Sequence, residues 1–304
     1  MSNLFLNENG RIRSGWRVVS FLFLFFLLAV LLRIVEEIIA SSLPTDIATT
    51  QLVFVGINSL GLLFISLCLG GIVGKIFEQI PFRALGASFV EGWFRHFALG
   101  LFVGALTLSS AVLLAFLLNG ERFQMNQTDE AGSVARSLFV SFIVFAFGAA
   151  WEEAFFRGYI LQTFARSGAA WLAVLLTSVF FGLVHLGNDD ATLFSTVNTV
   201  LAGLWFSLAY FKTRDLWFVF GLHLMWNWTQ GSIFGIEVSG LTFITTSPFL
   251  KEIDSGPPWI TGANYGIEGG IACTVAILGS IGLIYFMPGL KPAAEMLSLS
   301  EPPE

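Results

Sequence analysis

Long apolar runs are the feature of this sequence that most restricts its fold. Eight runs are spaced along the chain, at 18–42, 52–74, 97–118, 138–164, 170–187, 192–211, 216–236 and 267–287. Most reach about 20 residues, which spans ~30 Å of hydrocarbon at roughly 1.5 Å per helical residue. Because backbone groups in lipid must be hydrogen-bonded internally, runs of this length predict helices rather than barrel strands. The expected fold is an all-α polytopic membrane protein with about eight transmembrane helices.

The composition indicates that lipid is the solvent for much of the surface. Hydrophobic residues make up 55% of the chain and charged residues 12%, about half the ~25% charged fraction of a soluble domain. Phenylalanine alone accounts for 33 residues. The sequence contains neither a basic cluster suited to nucleic acid nor a glycine-rich phosphate loop. We therefore expect the lipid bilayer, and not nucleic acid, as a partner.

The distribution of basic residues predicts the orientation of the chain. With the N-terminus in the cytoplasm, 11 of the 15 lysines and arginines fall in cytoplasmic segments and 4 in outer ones. Short cytoplasmic loops are generally enriched in these residues, so we expect a multi-pass protein of the cell inner membrane with both termini cytoplasmic. The long loop at 237–266 should then lie outside. The tail from Pro292 is expected to be disordered.

Few polar residues lie inside the predicted spans, and such residues are costly in lipid and commonly functional. They fall into three groups, in spans four, five and seven: Glu152, Glu153 and Arg157; His185; His223 and Asn227. The chain has 3 histidines, and two of them belong to this set. The third, His96, precedes span three and is expected to be a solvated residue at the membrane interface.

Helical spacing predicts different roles for the two adjacent glutamates. Glu153 and Arg157 stand four residues apart with the acid first, the favourable order for an ion pair. Glu152 points about 100° away around the helix and has no cation at the same spacing. A carboxylate without a cation in an apolar cavity is a better proton acceptor, so Glu152 is the candidate base and Glu153 its support. Alternatively, both glutamates are structural partners of arginines.

Counting from the turn between spans four and five places two of these residues at a similar depth. Glu152 lies 16 residues before Gly168, and His185 lies 17 residues after it. In an antiparallel hairpin both would stand ~24 Å from the turn. His223 and Asn227 are four residues apart and share one helix face. His223 lies only ~12 Å along its own helix from the turn at Asp215, so we expect the hairpin of spans four and five to project into the cytoplasm. With that offset, the four side chains are expected to line one intramembrane catalytic cavity.

The motifs EExxxR, FxxxH and HxxxN occur in that order, each in a predicted span, and resemble the pattern of the CAAX-protease and bacteriocin-processing (CPBP, Abi) family. The resemblance covers roughly 135–236. It implies a bacterial intramembrane endopeptidase with an eight-span helical fold, acting on a membrane-associated protein or peptide. The chain then divides into three N-terminal helices at 1–133, a catalytic core at 134–236, and 237–304, which holds the outer loop, the last helix and the tail.

The resemblance also implies roles for individual side chains. Glu152 and His185 would activate the attacking water. His223 and Asn227 would stabilise the tetrahedral oxyanion, and the predicted ion pair of span four matches the family's supporting pair. Peptide hydrolysis requires a base for water, an acid for the leaving amine and donors for the oxyanion, and these residue types supply all three.

Three questions remain open at the level of the sequence. Glu152, His185 and His223 could form a zinc site with an open position, although HExxH is absent and the ligands would come from three helices. A polytopic transporter would also place polar residues at mid-membrane, although no internal repeat is evident. The third possibility is that the chain is a non-catalytic immunity or scaffold protein.

Overall fold

Helices form most of the structure. The computed structural model describes residues 4–7, 10–41, 47–127, 130–254 and 256–300. The helices are α1 Ser14–Ala40, α2 Ile47–Phe77, α3 Trp93–Leu117, α4 Ala131–Glu153, α5 Leu161–Arg166, α6 Ala170–Val184, α7 Leu193–Thr213, α8 Leu216–Trp228, α9 Pro258–Thr261, α10 Ile271–Phe286 and α11 Ala294–Ser300. Two π-helical segments, Ala154–Ile160 and Thr229–Phe234, continue α4 and α8. The strands are β1 Glu121–Met125 and β2 Leu250–Asp254.

Six of the described helices are long and apolar enough to cross a membrane. They are Ser14–Ala40, Gln51–Phe77, Trp93–Leu117, Ala131–Arg166, Ala170–Gly187 and Leu193–Thr213. These helices correspond to the first six predicted runs. The last two runs correspond to shorter helices, α8 with its π-helical continuation and α10. The chain is a polytopic membrane protein, as the apolar runs predict.

α3 and α8 approach each other closely because glycines line their contact. A Cβ atom at Gly100 or Gly104 of α3 would clash with the carbonyl oxygens of Phe218 or Leu222 on α8. A Cβ atom at Gly221 of α8 would likewise clash with the backbone of α3 at Phe97. The GxxxG spacing in the third run predicts close helix packing, and this contact confirms it. The position of α8, which carries two of the candidate site residues, is thus fixed against α3.

Two helices widen next to candidate site residues, and Arg157 lies within the first wide segment. The segment Ala154–Ile160 begins directly after Glu153, and Thr229–Phe234 begins directly after α8. π-Helical turns are rare, usually interrupt an α-helix as a single bulge, and are frequent at functional sites. Every residue of the first segment is buried. Neighbouring helices therefore enclose this wide turn on all sides.

The long loop at 237–266 is folded rather than extended. Its strand β2 pairs antiparallel with β1, so that Phe123 stands opposite Glu252. The backbone N–H of Phe249 donates to the carbonyl of Ser232 at 2.9 Å, which joins the loop to the π-helical end of α8. The all-α prediction included no strand, so this two-stranded sheet is an addition to the expected architecture.

A buried ionic cluster joins the start of α1, the end of α2 and α5. Glu78 is only 2% exposed. Its carboxylate accepts hydrogen bonds from Arg166 Nε and Thr163 Oγ1, each at 2.9 Å, and Arg17 Nη1 lies 3.5 Å away. An unpaired buried charge would be costly. The cluster therefore fixes these three segments relative to one another.

The prediction of a disordered tail is wrong for residues 294–300. They form α11, in which Met296 is fully buried and Glu295 Oε1 lies 2.8 Å from Arg83 Nη1. A helix this short is marginal in isolation. Contacts with the turn after α2 stabilise it, and no pattern within the tail reveals those contacts.

Candidate active site

A cavity of about 320 Å³ lies among the helices. Residues of α2, α4, α6, α7, α8 and α10 line it, together with residues of the loop that follows α8. Glu152, His185, His223 and Asn227 all belong to the lining. The structure thus brings together the four side chains that the spacing arguments place in one cavity. Their chemical roles stay predictions.

Glu152 presents a carboxylate to this cavity. Its side chain is 19% exposed, and its Oε2 has no hydrogen-bond partner among the described residues. His223 Nε2 lies 4.0 Å from this oxygen, which is longer than a direct hydrogen bond. No arginine or lysine of the described chain forms an ion pair with Glu152. The carboxylate is therefore available to accept a proton from a molecule in the cavity.

Glu153 and Arg157 form the predicted ion pair, and both residues are fully buried. Arg157 Nη1 donates to Glu153 Oε1 at 3.0 Å, and Nη2 donates to the carbonyl of Gly203 at 3.0 Å. The guanidinium carbon also lies 5.0 and 5.2 Å from the ring centres of Phe181 and Phe206, a cation–π arrangement. Both rings line the cavity, whereas Arg157 does not. The ion pair thus lies behind the aromatic wall.

His223 binds the same glutamate, which the spacing does not predict. Its Nδ1 lies 2.8 Å from Glu153 Oε1. Because an ionised carboxylate only accepts hydrogen bonds, Nδ1 carries the proton and Nε2 is the nitrogen left for the cavity. The ring also stacks on Phe206, with centres 4.5 Å apart and planes inclined by 23°. Glu153 therefore orients His223 as well as pairing with Arg157.

His185 lies at the junction where α6 ends and a short 3-10 turn begins. Its Nδ1 is 2.6 Å from the carbonyl oxygen of Phe181. A carbonyl oxygen cannot donate, so Nδ1 must carry the proton in this contact. In a neutral ring Nε2 is then a hydrogen-bond acceptor. The backbone of α6 thus selects the tautomer that can accept a proton or orient a water molecule.

The expectation that His96 is solvated is wrong, because this histidine is only 5% exposed. Its Nδ1 lies 2.5 Å from Oδ2 of Asp215. The other carboxylate oxygen of Asp215 accepts the backbone N–H groups of Trp217 and Phe218 at 2.9 and 3.4 Å. This is an N-cap interaction at the start of α8. His96 therefore helps to hold Asp215 in place, and Asp215 caps α8, the helix that carries His223.

Glu268 is a cavity residue that the sequence patterns did not single out. Its Oε1 accepts a hydrogen bond from Trp226 Nε1 at 2.9 Å. Its Oε2 accepts from the backbone N–H and the hydroxyl of Ser239 at 2.6 and 2.7 Å. Asn198 Nδ2 donates to its carbonyl oxygen at 2.8 Å. The sequence does contain a sign of this residue, because Glu268 lies at the start of the apolar run 267–287. An acidic side chain inside such a run is costly in lipid and therefore commonly functional, which is the argument that identified Glu152.

The charge of Glu268 also affects its neighbour Tyr265 in the same loop. Burial, together with that charge, raises the pKa of Tyr265 from 10.0 to about 12. The phenol is therefore neutral at physiological pH. The folded state binds its proton more tightly than the unfolded chain, so the corresponding stability is present below about pH 10 and is lost as pH rises through about 12.

The candidate zinc ligands Glu152, His185 and His223 line one cavity but do not form a ligand set. Within the described part of the chain, no three His, Cys, Asp or Glu side chains stand close enough together to hold a metal ion. Nδ1 of each histidine is engaged, by Phe181 or Glu153, so Nε2 is the one ring nitrogen of each that could bind a metal. A structural or catalytic zinc site requires at least three converging protein ligands. The residues as placed do not fit such a site.

The fold and the cavity define a polytopic membrane protein with a polar site enclosed among its helices. Residues 134–229 match the model of the type II CAAX prenyl endopeptidase Rce1-like family, so the chain contains a domain of this family. The matched segment includes all six candidate site residues named from the sequence. No curated protein and no solved structure matches the chain.

Proposed function

We propose that this protein is an intramembrane endopeptidase that hydrolyses a peptide bond of a membrane-associated protein or peptide. The match to an endopeptidase family over residues 134–229 supports the class of reaction. The observation that carries the proposal is the meeting of Glu152, His185, His223 and Asn227 in one cavity of a membrane protein. This set offers a proton acceptor for water and donors for an oxyanion.

Activation of water is assigned to Glu152 and His185. A water molecule held by the carboxylate of Glu152 and Nε2 of His185 attacks the carbonyl carbon of the scissile bond. One of its protons passes to Glu152, whose Oε2 has no hydrogen-bond partner in the described structure. General-base catalysis of this kind typically contributes about 10²–10⁴ in rate.

Stabilisation of the oxyanion is assigned to His223 and Asn227. The tetrahedral intermediate bears a negative oxygen, to which Nε2–H of His223 and the side-chain amide of Asn227 donate. This role requires a proton on both nitrogens of His223, and Glu153 holds the one on Nδ1. Because Glu153 is itself bound to Arg157, the direction of the imidazole is set before substrate binds, as preorganised catalysis requires.

Collapse of the intermediate completes the reaction. The C–N bond breaks, the carbonyl re-forms, and Glu152 transfers its newly acquired proton to the leaving amine nitrogen. The second proton of the water remains on the new carboxyl group, which then ionises. Glu152 is thus base and acid in turn, and the site returns to its starting state.

The test compares wild type with Glu152→Gln and with Glu37→Gln as a matched control. Glu37 lies on α1 with its side chain 71% exposed, outside the cavity. New N-termini in the membrane proteins of cells carrying each variant identify a substrate, and purified proteins in liposomes are then assayed on it. We expect cleavage by wild type and Glu37→Gln only. Full activity of Glu152→Gln would remove Glu152 from the mechanism, and a wild type without cleavage would favour a transporter or scaffold.

A further inference from the structure

The described lining of the cavity contains carboxylates, from Glu152 and Glu268, but no lysine or arginine. We infer that the peptide segment bound here carries a basic side chain, lysine or arginine, which pairs with Glu268. This inference rests on the proposed function for the identity of the substrate as a peptide. It names a feature of that substrate and assigns Glu268 as the residue that recognises it.

The negative charge of Glu268 has no counter-ion in the described part of the chain. Its three hydrogen-bond donors are neutral: the indole N–H of Trp226 and the backbone N–H and hydroxyl of Ser239. These hydrogen bonds fix the direction of the carboxylate. A cationic ligand would supply the missing charge, and partly desolvated pairs of this type are stronger than those on an exposed surface.

The walls around Glu268 also suit a basic side chain. Trp205 and Trp226 both line the cavity, with ring centres 5.5 Å apart and planes at 72°. Both rings are almost fully buried, at 0% and 3% exposed, so this part of the wall is apolar, and the apolar stem of lysine or arginine can pack along it. A substrate carboxylate at this position would instead meet like charges, which disfavours it.

The position of Glu268 places this recognition close to the reacting bond. Its carboxylate is hydrogen-bonded to Trp226, the residue directly before Asn227. Asn227 is one of the proposed oxyanion donors and lines the same cavity of about 320 Å³ as Glu268, so the basic side chain and the scissile bond would occupy one cavity. Glu268 touches none of the reacting atoms in the proposed mechanism. It is a specificity residue, distinct from the base Glu152.

A purely structural role for Glu268 makes a different prediction. The same hydrogen bonds fasten Ser239, and with it the loop after α8, to Trp226. If fastening were the only role, loss of Glu268 would weaken binding of all peptides alike. Recognition of charge instead requires that the effect depend on the charge of the peptide. Ser239→Ala separates the two roles, since it removes one of these hydrogen bonds and leaves the carboxylate in place.

The experiment measures binding in the absence of cleavage. Fluorescent apolar peptides that differ at one position, Lys, Gln or Glu, with that position scanned along the peptide, are titrated against the full chain in lipid nanodiscs. Every protein carries Glu152→Gln, alone or with Glu268→Gln, Glu268→Lys or Ser239→Ala. At the recognised position we expect the Lys peptide to bind about tenfold more tightly than the Gln peptide, and the Glu peptide most weakly.

Glu268→Gln should abolish this preference, Glu268→Lys should reverse it in favour of the Glu peptide, and Ser239→Ala should preserve it. Equal affinities for all peptides, or a Lys preference that survives Glu268→Gln, would overturn the inference. Wild-type cleavage of the same peptides is scored separately. Binding with the Lys preference but no cleavage would count against the proposed function alone, and cleavage without the preference would count against this inference alone.

Discussion

His223 Nδ1 lies 2.8 Å from Oε1 of Glu153, and this oxygen also accepts a hydrogen bond from Arg157 at 3.0 Å. One buried carboxylate oxygen of Glu153 therefore accepts hydrogen bonds from Arg157, which follows it in the same long helix, and from His223 on another helix. The arrangement connects α4 to α8 through a fully buried carboxylate. It also separates the two adjacent glutamates by environment, since Glu152 lines the cavity and Glu153 does not.

Replacing Glu153 by glutamine should destabilise the protein more than the same change at Glu152. Glu153→Gln leaves the buried Arg157 without a counter-ion, and breaking such a pair typically costs about 3–5 kcal/mol. Glu152→Gln removes a carboxylate that has no ion pair with an arginine or lysine in the described structure, so its effect should be small. Thermal unfolding in one detergent measures both. Equal melting temperatures would show that Glu153 is not the electrostatic partner of Arg157.

Removing the amide of Asn227 should reduce the rate without abolishing it. Loss of one oxyanion donor typically costs about 10²–10³ in kcat, so Asn227→Ala should retain measurable cleavage while Glu152→Gln falls to background. Asn264→Ala, at an exposed asparagine in the loop before α10, is the matched control. The measurement is kcat on a substrate identified as described above. Unchanged kcat in Asn227→Ala would exclude this side chain from the oxyanion site.

A large side chain between α3 and α8 should disturb the site from a distance. In Gly104→Leu the new atoms would clash with the backbone at Leu222, the neighbour of His223, and overpacking typically costs about 1–3 kcal/mol. We expect a lower melting temperature and reduced cleavage. Gly279→Leu in α10 is the control, because nothing lies within 4 Å of its Cβ position. A Gly104→Leu variant as stable and active as Gly279→Leu would show that α8 tolerates displacement.

Both termini should lie on the cytoplasmic side, because 11 of the 15 basic residues fall in segments assigned to that side. Reporter fusions at the N-terminus and at the C-terminus, one active only in the cytoplasm and one only outside it, test this orientation. A reporter in the loop at 237–266 should give the opposite result. Termini on opposite sides would mean that one of the two shorter apolar helices does not cross the membrane.

Local patterns predicted those parts of the structure that depend on neighbours in sequence. Run length and hydrophobicity identify the six long helices because a membrane imposes a fixed thickness on them. The Glu153–Arg157 pair follows from helical spacing, since both partners belong to one continuous helix. The shared position of Glu152 and His185 in one cavity follows in the same way from counting along a hairpin.

Contacts between distant segments were outside the reach of such patterns. His96 and Asp215 are 119 residues apart, and Glu153 and His223 are 70 apart. Neither pair shares an element, so no periodicity connects them. The turn-rich composition of 237–266 indicates a loop but not its fold, which depends on pairing with β1 and on the hydrogen bonds of Glu268.

The π-helical turn at Ala154–Ile160 determines the directions in which the side chains of the following helix, α5, point. Such a turn holds one residue more than an α-helical turn. A chain one residue shorter within this segment, after Arg157, would wind as a regular α-helix. The spacing of Glu153 and Arg157 would stay at four residues, and Arg166 would keep its direction. The same deletion within Ala131–Glu153 has no wide turn to absorb it, and would rotate one flank by about 100° relative to the other. Tolerance of length changes in this long helix should therefore be confined to a few positions beside the cavity.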